Sequence, residues 1–149
     1  MERSKALEIL EKFVGNWKVD IKFTMPDGNV LKGKGTWSCK SICNGLGVYM
    51  VLNADVSGLG KYEEHDLVGY SEEGKVHVFS ITTTGAVHDH AGTFKDDKTI
   101  EIVWKGLAEG KETVEAVTGT IISPNEIRFK EVDTVEGKPS LIGDYVLKK

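Results

Sequence analysis

The segment Phe13-Val14-Gly15-Asn16-Trp17 divides this chain into two parts with different hydrophobic periods. In residues 4–13 the apolar positions follow the 3.6-residue period of an amphipathic helix, which Ser4 would cap and Gly15 would end. From Trp17 onward apolar and polar residues alternate, which is the pattern of a strand with one enclosed and one hydrated face. A short helix followed only by such strands predicts a helix packed against the end of an antiparallel β-structure.

Alternating segments continue to the end of the chain and are separated by residues typical of turns, such as Pro26-Asp27-Gly28-Asn29. The predicted strands cover residues 17–25, 31–40, 46–56, 64–70, 75–82, 86–95, 98–105, 112–121, 126–133 and 140–147. An open sheet of ten strands would curl or split and would leave exposed edges, whereas closure removes the edges. We therefore predict an all-β fold with one domain over 1–149, an antiparallel barrel of about ten strands, closed at one end by the helix 4–13 with Trp17 beneath it.

The charge distribution excludes several classes of partner. The chain has 149 residues, a formal net charge of −4 and only two arginines, Arg3 and Arg128. Nucleic acid needs clustered cationic side chains and a membrane surface needs a polybasic patch, so neither partner is expected. The charged N-terminal residues and the lack of an apolar segment of about 20 residues also argue against a signal peptide and a membrane span. We expect a cytoplasmic protein, with a homodimer as an open alternative, in which Cys39 and Cys43 are buried free thiols.

Four segments in a fixed order carry a resemblance to a known group of barrels. They are Gly15-Asn16-Trp17, residues 69–75, residues 92–99 and the last strand as far as Tyr145. On these segments the chain resembles the calycins, the group of lipocalins and fatty-acid-binding-type proteins, and more closely an uncharacterised, mostly bacterial, lipocalin-like family. The resemblance implies a β-barrel around an apolar pocket, and it implies no particular activity.

Two kinds of calycin-like barrel hold their ligands with residues that can be sought in this chain. Fatty-acid carriers hold the ligand carboxylate with an Arg-x-Tyr triplet in a late strand, but no such triplet occurs here, and Arg128 alternates away from Ile127 and Phe129. Haem barrels similar to nitrobindin use a histidine late in the chain, whereas the last histidine here is His90. The departures disfavour a fatty-acid clamp and haem. We predict no cofactor, with haem and zinc as the alternatives.

His88 and His90 are the first candidates for a functional role, because side chains two residues apart on a strand project to the same face. Phe94 shares that face and favours its being enclosed, but Val87 and Ala91 favour the opposite face. An enclosed titratable group costs free energy unless it is paired or used, so enclosed histidines would indicate a site. Histidines that are only hydrogen-bonded in the cavity wall, or solvated on an outer face, are the structural alternative.

The loop before His88 decides whether a third histidine joins the pair. With a two- or four-residue loop, His77 shares the face of His88 and His90, and three imidazoles could bind zinc with one open position. With Thr83-Thr84-Gly85 as a three-residue loop whose glycine is left-handed, His77 lies on the other face. The spacing matches no established zinc pattern, so we predict no metal ion. We predict instead that His88 and His90 contact the ligand directly, with Gly92 leaving space beside their rings.

Glu131 is the second candidate, because it shares a face with Ile127 and Phe129 while Arg128 and Lys130 alternate to the other side. If that face is enclosed, the carboxyl group could orient a polar part of a ligand or act as a general base with a raised pKa. If Glu131 lies at the mouth of the barrel, it is hydrated and has no role.

The sequence predicts a binding protein for a small apolar or aromatic ligand. Aromatic residues on the apolar faces of several strands would enclose that ligand, unless they fill the barrel instead. The predicted ligand-binding residues are Trp37, Cys39, Phe79, His88, His90, Trp104, Phe129 and Glu131.

Two other classes of function stay open. One is an enzyme of the lyase, isomerase or hydrolase type, in which His88, His90 or Glu131 is the general acid or base. No Gly-x-Ser-x-Gly, phosphate loop or dinucleotide motif occurs in the sequence. The other is a barrel with a filled core that acts through its surface.

Overall fold

The computed structural model describes residues 1–149 and consists of one short helix, ten strands and one 3-10 turn. The helix α1 spans Arg3–Glu11, and the strands are β1 (Gly15–Thr24), β2 (Val30–Ile42), β3 (Gly47–Val56), β4 (Gly60–Tyr70), β5 (Val76–Thr82), β6 (Val87–Phe94), β7 (Thr99–Ala108), β8 (Lys111–Ser123), β9 (Glu126–Val135) and β10 (Lys138–Lys148). Each strand pairs antiparallel with its neighbours in sequence, and β1 pairs with β10, which closes the barrel. The predicted all-β, ten-stranded closed barrel is confirmed.

Alternation places every second side chain inside the barrel. In β1 the residues Trp17, Val19, Ile21 and Phe23 are buried, and the residues between them are exposed. The same alternation in the other strands, together with the apolar face of the helix, gathers 26 buried residues into one hydrophobic core. Removing this apolar surface from water, at about 25 cal/mol per Å², is the main force that holds such a barrel together.

One end of the barrel is closed by α1. The helix buries Ala6, Ile9 and Leu10, and Trp17 beneath it is only 3% exposed. The Trp17 indole Nε1 donates a hydrogen bond of 2.9 Å to the backbone carbonyl of Phe13. The structure therefore agrees with the predicted closure. We call this end the helix end and the opposite end, which is formed only by turns, the mouth.

The helix differs in detail from the predicted residues 4–13. It spans Arg3–Glu11, and its N-cap is Glu2, which makes no side-chain hydrogen bond. Ser4 lies inside the first turn, so the prediction that it caps the helix is wrong. Gly15 does not end the helix either, because it already begins β1, with a φ of 141°.

The two cysteines lie in different environments. Both are free thiols, but only Cys39 is buried, whereas Cys43 is exposed. The prediction that both are buried is wrong for Cys43, because β2 ends at Ile42 and Cys43 already belongs to the 3-10 turn Cys43–Gly45. No helix of the structure has the length and apolar character needed to cross a bilayer.

Candidate functional site

The interior of the barrel contains a cavity. Its volume, measured as the space open to the centre of a water-sized sphere, is about 90 Å³. At the helix end it is lined by Leu10 and Phe13. Phe129 packs between Phe13 and Trp37, with ring centroids 6.0 and 4.7 Å away. The barrel is therefore not filled, and the deep part of its cavity is apolar and aromatic.

The part of the cavity nearer the mouth is surrounded by acidic side chains. The five inward-facing carboxyl groups are Glu64 and Asp66 from β4, Glu115 from β8, and Glu131 and Asp133 from β9. Two imidazoles from β6, those of His88 and His90, face the same space. No lysine or arginine lines the cavity. The site therefore holds many hydrogen-bond acceptors and no permanently cationic side chain.

His88 and His90 both donate hydrogen bonds to one carboxylate. His88 Nδ1 lies 2.7 Å from Glu115 Oε2, and His90 Nε2 lies 2.9 Å from Glu115 Oε1. Burial acts to raise the pKa of Glu115, but the hydrogen bonds and charges of His90 and then His88 outweigh it and hold that pKa below its usual range. Glu115 is therefore an ionised acceptor at neutral pH, and each of its oxygens orients one imidazole.

Trp104 of β7 fixes the ring of His88. The two rings stack with their centroids 3.6 Å apart and their planes 11° from parallel. Gly106 leaves the space for this stack, because a Cβ at that position would lie 2.3 Å from the Trp104 ring. The side chain of His88 is 15% exposed and that of His90 is 3% exposed. One ring of the pair is therefore within reach of solvent, and the other is buried.

Glu131 is held by Tyr145 of β10. The Tyr145 hydroxyl donates a hydrogen bond of 2.6 Å to Glu131 Oε2. Gly143 pairs with Glu131 across the sheet, and a Cβ on it would lie 2.9 Å from the same oxygen. Burial, followed by the charges of Asp133 and Glu115, raises the pKa of Glu131 to about 8. Burial and the Glu115 charge raise the pKa of Asp133 to about 7. These two carboxyl groups therefore hold protons close to neutral pH.

The two carboxyl groups of β4 are also hydrogen-bonded. The Tyr62 hydroxyl donates to Glu64 Oε2 at 2.9 Å, and Ser80 Oγ donates to Asp66 Oδ1 at 2.5 Å. Burial, followed by the charge of Asp66, raises the pKa of Glu64 well above its usual range. Burial raises the pKa of Asp66 to about 6. The acids of β4 and those of β9 are thus difficult to ionise at the same time.

Three buried polar atoms near this space have no hydrogen-bond partner in the protein: Trp37 Nε1, His90 Nδ1 and Asp133 Oδ1. Trp37 and His90 both line the cavity. Buried polar groups in folded proteins are nearly always hydrogen-bonded, to protein or to water, because an unpaired one costs about 1–3 kcal/mol. One donor, one ring nitrogen and one acceptor are therefore left for water or a ligand.

The structure places most of the predicted ligand-binding residues at this cavity. Trp37, His90, Phe129 and Glu131 line it, and His88 and Trp104 lie against it through their contacts with Glu115 and with each other. Cys39 is buried but does not line the cavity, and burial raises the pKa of its thiol to about 12, which leaves it unreactive.

Phe79, like Cys39, does not line the cavity. Val78 and Ser80 face the interior of β5, so Phe79 points outward and is 44% exposed. The prediction that it lines the cavity is wrong. In β5 both faces carry apolar residues, and alternation therefore did not distinguish the inside from the outside.

The hairpin between β5 and β6 separates His77 from the other two histidines. Ile81 pairs with Val87, and the residues Thr83-Thr84-Gly85 form a three-residue loop whose glycine has a φ of 89°. His77 is therefore exposed on the outer face, and the three-histidine alternative is excluded. The predicted space at Gly92 is also absent, because the backbone of Glu101 and Ile102 in β7 fills it.

The sequence reasoning missed Glu115, which binds both histidines, and the acids Glu64, Asp66 and Asp133. A signal for two of them was present. Glu115 alternates in phase with Val117 and Ile121, and Asp66 alternates in phase with Val68 and Tyr70, so both lie on buried faces.

Two groups of side chains could hold a metal ion. His88, His90 and Glu115 bring one donor atom each to within 4.8 Å of one another, and so do Glu115, Glu131 and Asp133. In the first group both imidazole nitrogens are already hydrogen-bonded to Glu115, so a metal ion would have to replace these two hydrogen bonds.

Comparison with known proteins gives one family and several structures of the same fold. A family model described as "Protein of unknown function (DUF1579)" matches residues 2–106, from α1 into β7. Rv2717c from M. tuberculosis is 16% identical with a TM-score of 0.76, and 97% of this chain and 96% of that chain are covered. The S-type phycobiliprotein lyase CPES from Guillardia theta is 11% identical with a TM-score of 0.67, covering 97% of this chain and 92% of that one.

A de novo designed fluorescence-activating β-barrel is 11% identical with a TM-score of 0.51, and both chains are covered completely (100% each). At these identities the solved structures show the fold alone. No curated protein sequence matches the chain.

Proposed function

This chain belongs to the DUF1579 family of proteins of unknown function, and on that premise we propose that it is a calycin-like barrel that binds one small molecule with an apolar or aromatic body. The apolar part of the ligand packs on Trp37 and Phe129, and its polar part contacts His88, His90 and Glu131. The observation that carries the proposal is an unfilled cavity whose lining includes Trp37 and His90. Each of these two side chains has a buried polar atom without a hydrogen-bond partner in the protein. A ligand in the cavity supplies those partners.

The similar structures add limited support. One is named as a phycobiliprotein lyase and another as a fluorescence-activating barrel. Both names are compatible with a barrel whose interior serves a small molecule. For this chain they support the class of function and not the identity of the ligand.

A neutral aromatic probe tests the proposal. We expect 1-naphthylmethanol to bind in isothermal titration calorimetry, with a change in tryptophan emission. Trp37→Phe keeps a ring in the cavity but removes the unpartnered N–H, and it should weaken binding by about three- to tenfold. Phe79→Leu changes an aromatic residue on the outer wall and is the matched control, which should bind like the unaltered protein. No binding by the unaltered protein, or an equal loss in both variants, would contradict the proposal.

A second candidate function is proton transfer on a bound substrate, as in a lyase, isomerase or hydrolase. The observation that favours it is Glu131, whose pKa is raised by burial to about 8, so that it exchanges a proton near neutral pH. His88, oriented by Glu115, would be the second group. This role requires that an identified cavity ligand be converted by the unaltered protein and not by Glu131→Gln. A ligand recovered unchanged after prolonged incubation would leave binding as the function.

The binding that we propose needs neither a metal ion nor haem. We also propose a cytoplasmic protein without nucleic-acid or membrane partners, as the net charge of −4 and the two arginines suggest. A homodimer would use the outer-face residues Leu67, Phe79, Ile81 and Val87, which are exposed and apolar. Native mass spectrometry of the purified protein tests the proposals on metal, haem and dimer, since it reports bound metal, haem, organic ligand and subunit number in one measurement.

A further inference from the structure

We propose that the ligand carries a positively charged nitrogen, an ammonium or amidinium group, which binds between the acids of the cavity while the apolar body of the ligand packs on Trp37 and Phe129. This inference rests on the proposed function, because it names the chemical class of the molecule that the barrel holds.

The balance of charged side chains around the cavity is the first argument. Five carboxyl groups face the interior, and no lysine or arginine lines it. The two imidazoles are both committed to Glu115, and even two imidazolium ions would balance only two of the carboxylates. Buried carboxyl groups without a cationic partner are kept neutral by protons, so a bound cation can replace those protons as the balancing charge that no lysine or arginine provides here.

The arrangement of acceptor atoms is the second argument. Oxygens of Glu115, Glu131 and Asp133 lie within 4.8 Å of one another. Asp133 Oδ1 is buried and has no partner, and His90 Nδ1, on a side chain that is only 3% exposed, has none either. An ammonium group has three N–H donors and no acceptor, which suits a space bounded by acceptors. A ligand carboxylate would meet the same acids with repulsion, which also fits the missing Arg-x-Tyr clamp.

The titratable groups around Glu131 add a consequence that can be measured. The pKa of Glu131 is coupled to titratable groups on every side of it. These groups are Asp133 on its own strand, Glu115 from β8, Tyr145 from β10, and Tyr62 and Glu64 from β4. Asp133 is also influenced by His90 of β6. Because burial raises the pKa of Glu131 and Asp133 to about 8 and about 7, a bound cation releases protons from them near neutral pH. Affinity for a cation should therefore rise with pH.

Three probes that share one ring system and differ in charge test the inference: 1-naphthylmethylamine, 1-naphthylmethanol and 1-naphthoate. Titration calorimetry is run on chelator-treated protein at about pH 6 and about pH 8, where the amine stays protonated. At the higher pH we expect the ammonium probe to bind at least about tenfold more tightly than the alcohol, and the carboxylate to bind most weakly. The advantage of the ammonium probe over the alcohol should shrink at the lower pH, with proton release visible as a dependence on the buffer's ionisation enthalpy.

Two variants locate the effect. Glu131→Gln should reduce the preference for the ammonium probe over the alcohol by about three- to tenfold. Glu101→Gln alters the same residue type on the outer wall of β7, where Glu101 pairs with Lys95, and should have no effect. Both changes are isosteric, and Glu131→Gln removes a buried acid, so the barrel is expected to fold in each case.

The outcomes separate this inference from the function on which it rests. If the alcohol binds as tightly as the ammonium probe, or the carboxylate binds more tightly, the inference of a cationic ligand is overturned, while the proposal that the cavity binds a small molecule stands. If Glu101→Gln and Glu131→Gln lower the preference equally, the ammonium group binds elsewhere and the inference fails. If the unaltered protein binds none of the three probes, the proposed function itself fails.

Discussion

The two halves of the barrel interior are built from the same alternating strands, but one is apolar and stabilises the fold, whereas the other contains buried acids. At the helix end, Ile9, Val48, Ile127 and Leu147 are almost fully buried among other apolar side chains, and their packing stabilises the fold. Toward the mouth, Glu64, Glu131 and Asp133 are acids that burial makes costly to ionise. The comparison teaches that alternation determines which side chains enter a barrel, whereas the chemistry of those side chains separates the stabilising region from the binding region.

Truncation of Trp17 is the strongest test of the helix end. Trp17→Ala leaves a cavity beneath α1 and removes the hydrogen bond to Phe13, so it should lower the free energy of unfolding by about 3–5 kcal/mol. Chemical denaturation with unchanged m-value measures the loss. A melting temperature equal to that of the unaltered protein would show that Trp17 does not close the barrel.

The pH dependence of stability tests the mouth half. Burial raises the pKa of Glu131 to about 8 and that of Asp133 to about 7, so the folded protein binds more protons than the unfolded chain across this range. Their contribution is therefore most favourable at low pH, below the unfolded values of about 4, and is lost as pH rises toward the folded values. We expect the melting temperature of the ligand-free protein to fall by about 5 °C or more between about pH 5 and pH 8.

Glu131→Gln should flatten this dependence, since glutamine does not titrate. Glu101→Gln, on the outer wall, serves as the control and should retain the slope. A profile that is flat in the unaltered protein, or that rises with pH, would refute the assignment of buried, protonated acids at the mouth half.

The smallest expected effect on the fold comes from the histidine pair. His88→Gln combined with His90→Gln keeps side-chain N–H donors for Glu115 but removes both imidazole rings and the stack of His88 on Trp104. The double variant should melt within about 2 °C of the unaltered protein. It should lose about tenfold in affinity for the cavity ligand.

Titration calorimetry with the naphthyl probes measures the affinity, and thermal unfolding measures the stability. Unchanged binding by the double variant would show that the imidazoles only support the wall. A large loss of stability would show that they belong to the stabilising region instead, and the distinction between the two halves would then need to be redrawn.

The fold was largely predictable because alternation is a direct consequence of strand geometry. The one strand with a badly placed beginning is β4, predicted from residue 64 and observed from Gly60. Its first part, Lys61 to Glu64, carries charged residues on both faces, since Glu64 points inward and therefore breaks the apolar–polar pattern. The inward-facing acid that belongs to the site thus also interrupted the alternation that would have extended the predicted strand back to Gly60.

The site was predictable only where an acid or a histidine had apolar neighbours on the same face of its strand. Glu131 follows Ile127 and Phe129, and His90 precedes Phe94, so both were found. The convergence of Glu115 on the two histidines depends on pairing between β6, β7 and β8, which no single strand encodes. Phe79 was misplaced because β5 is apolar on both sides.

The pairing of β1 with β10 also constrains the order in which the molecule can be made. Residues 15–24 leave the ribosome well before their second partner, residues 138–148, so the wall stays open until that strand has been made. During that interval the interior acids are in water and ionised. Pairing of β1 with β10 therefore takes up protons near neutral pH. An acidic solution should favour the closed barrel over the sheet in which these two strands are still unpaired.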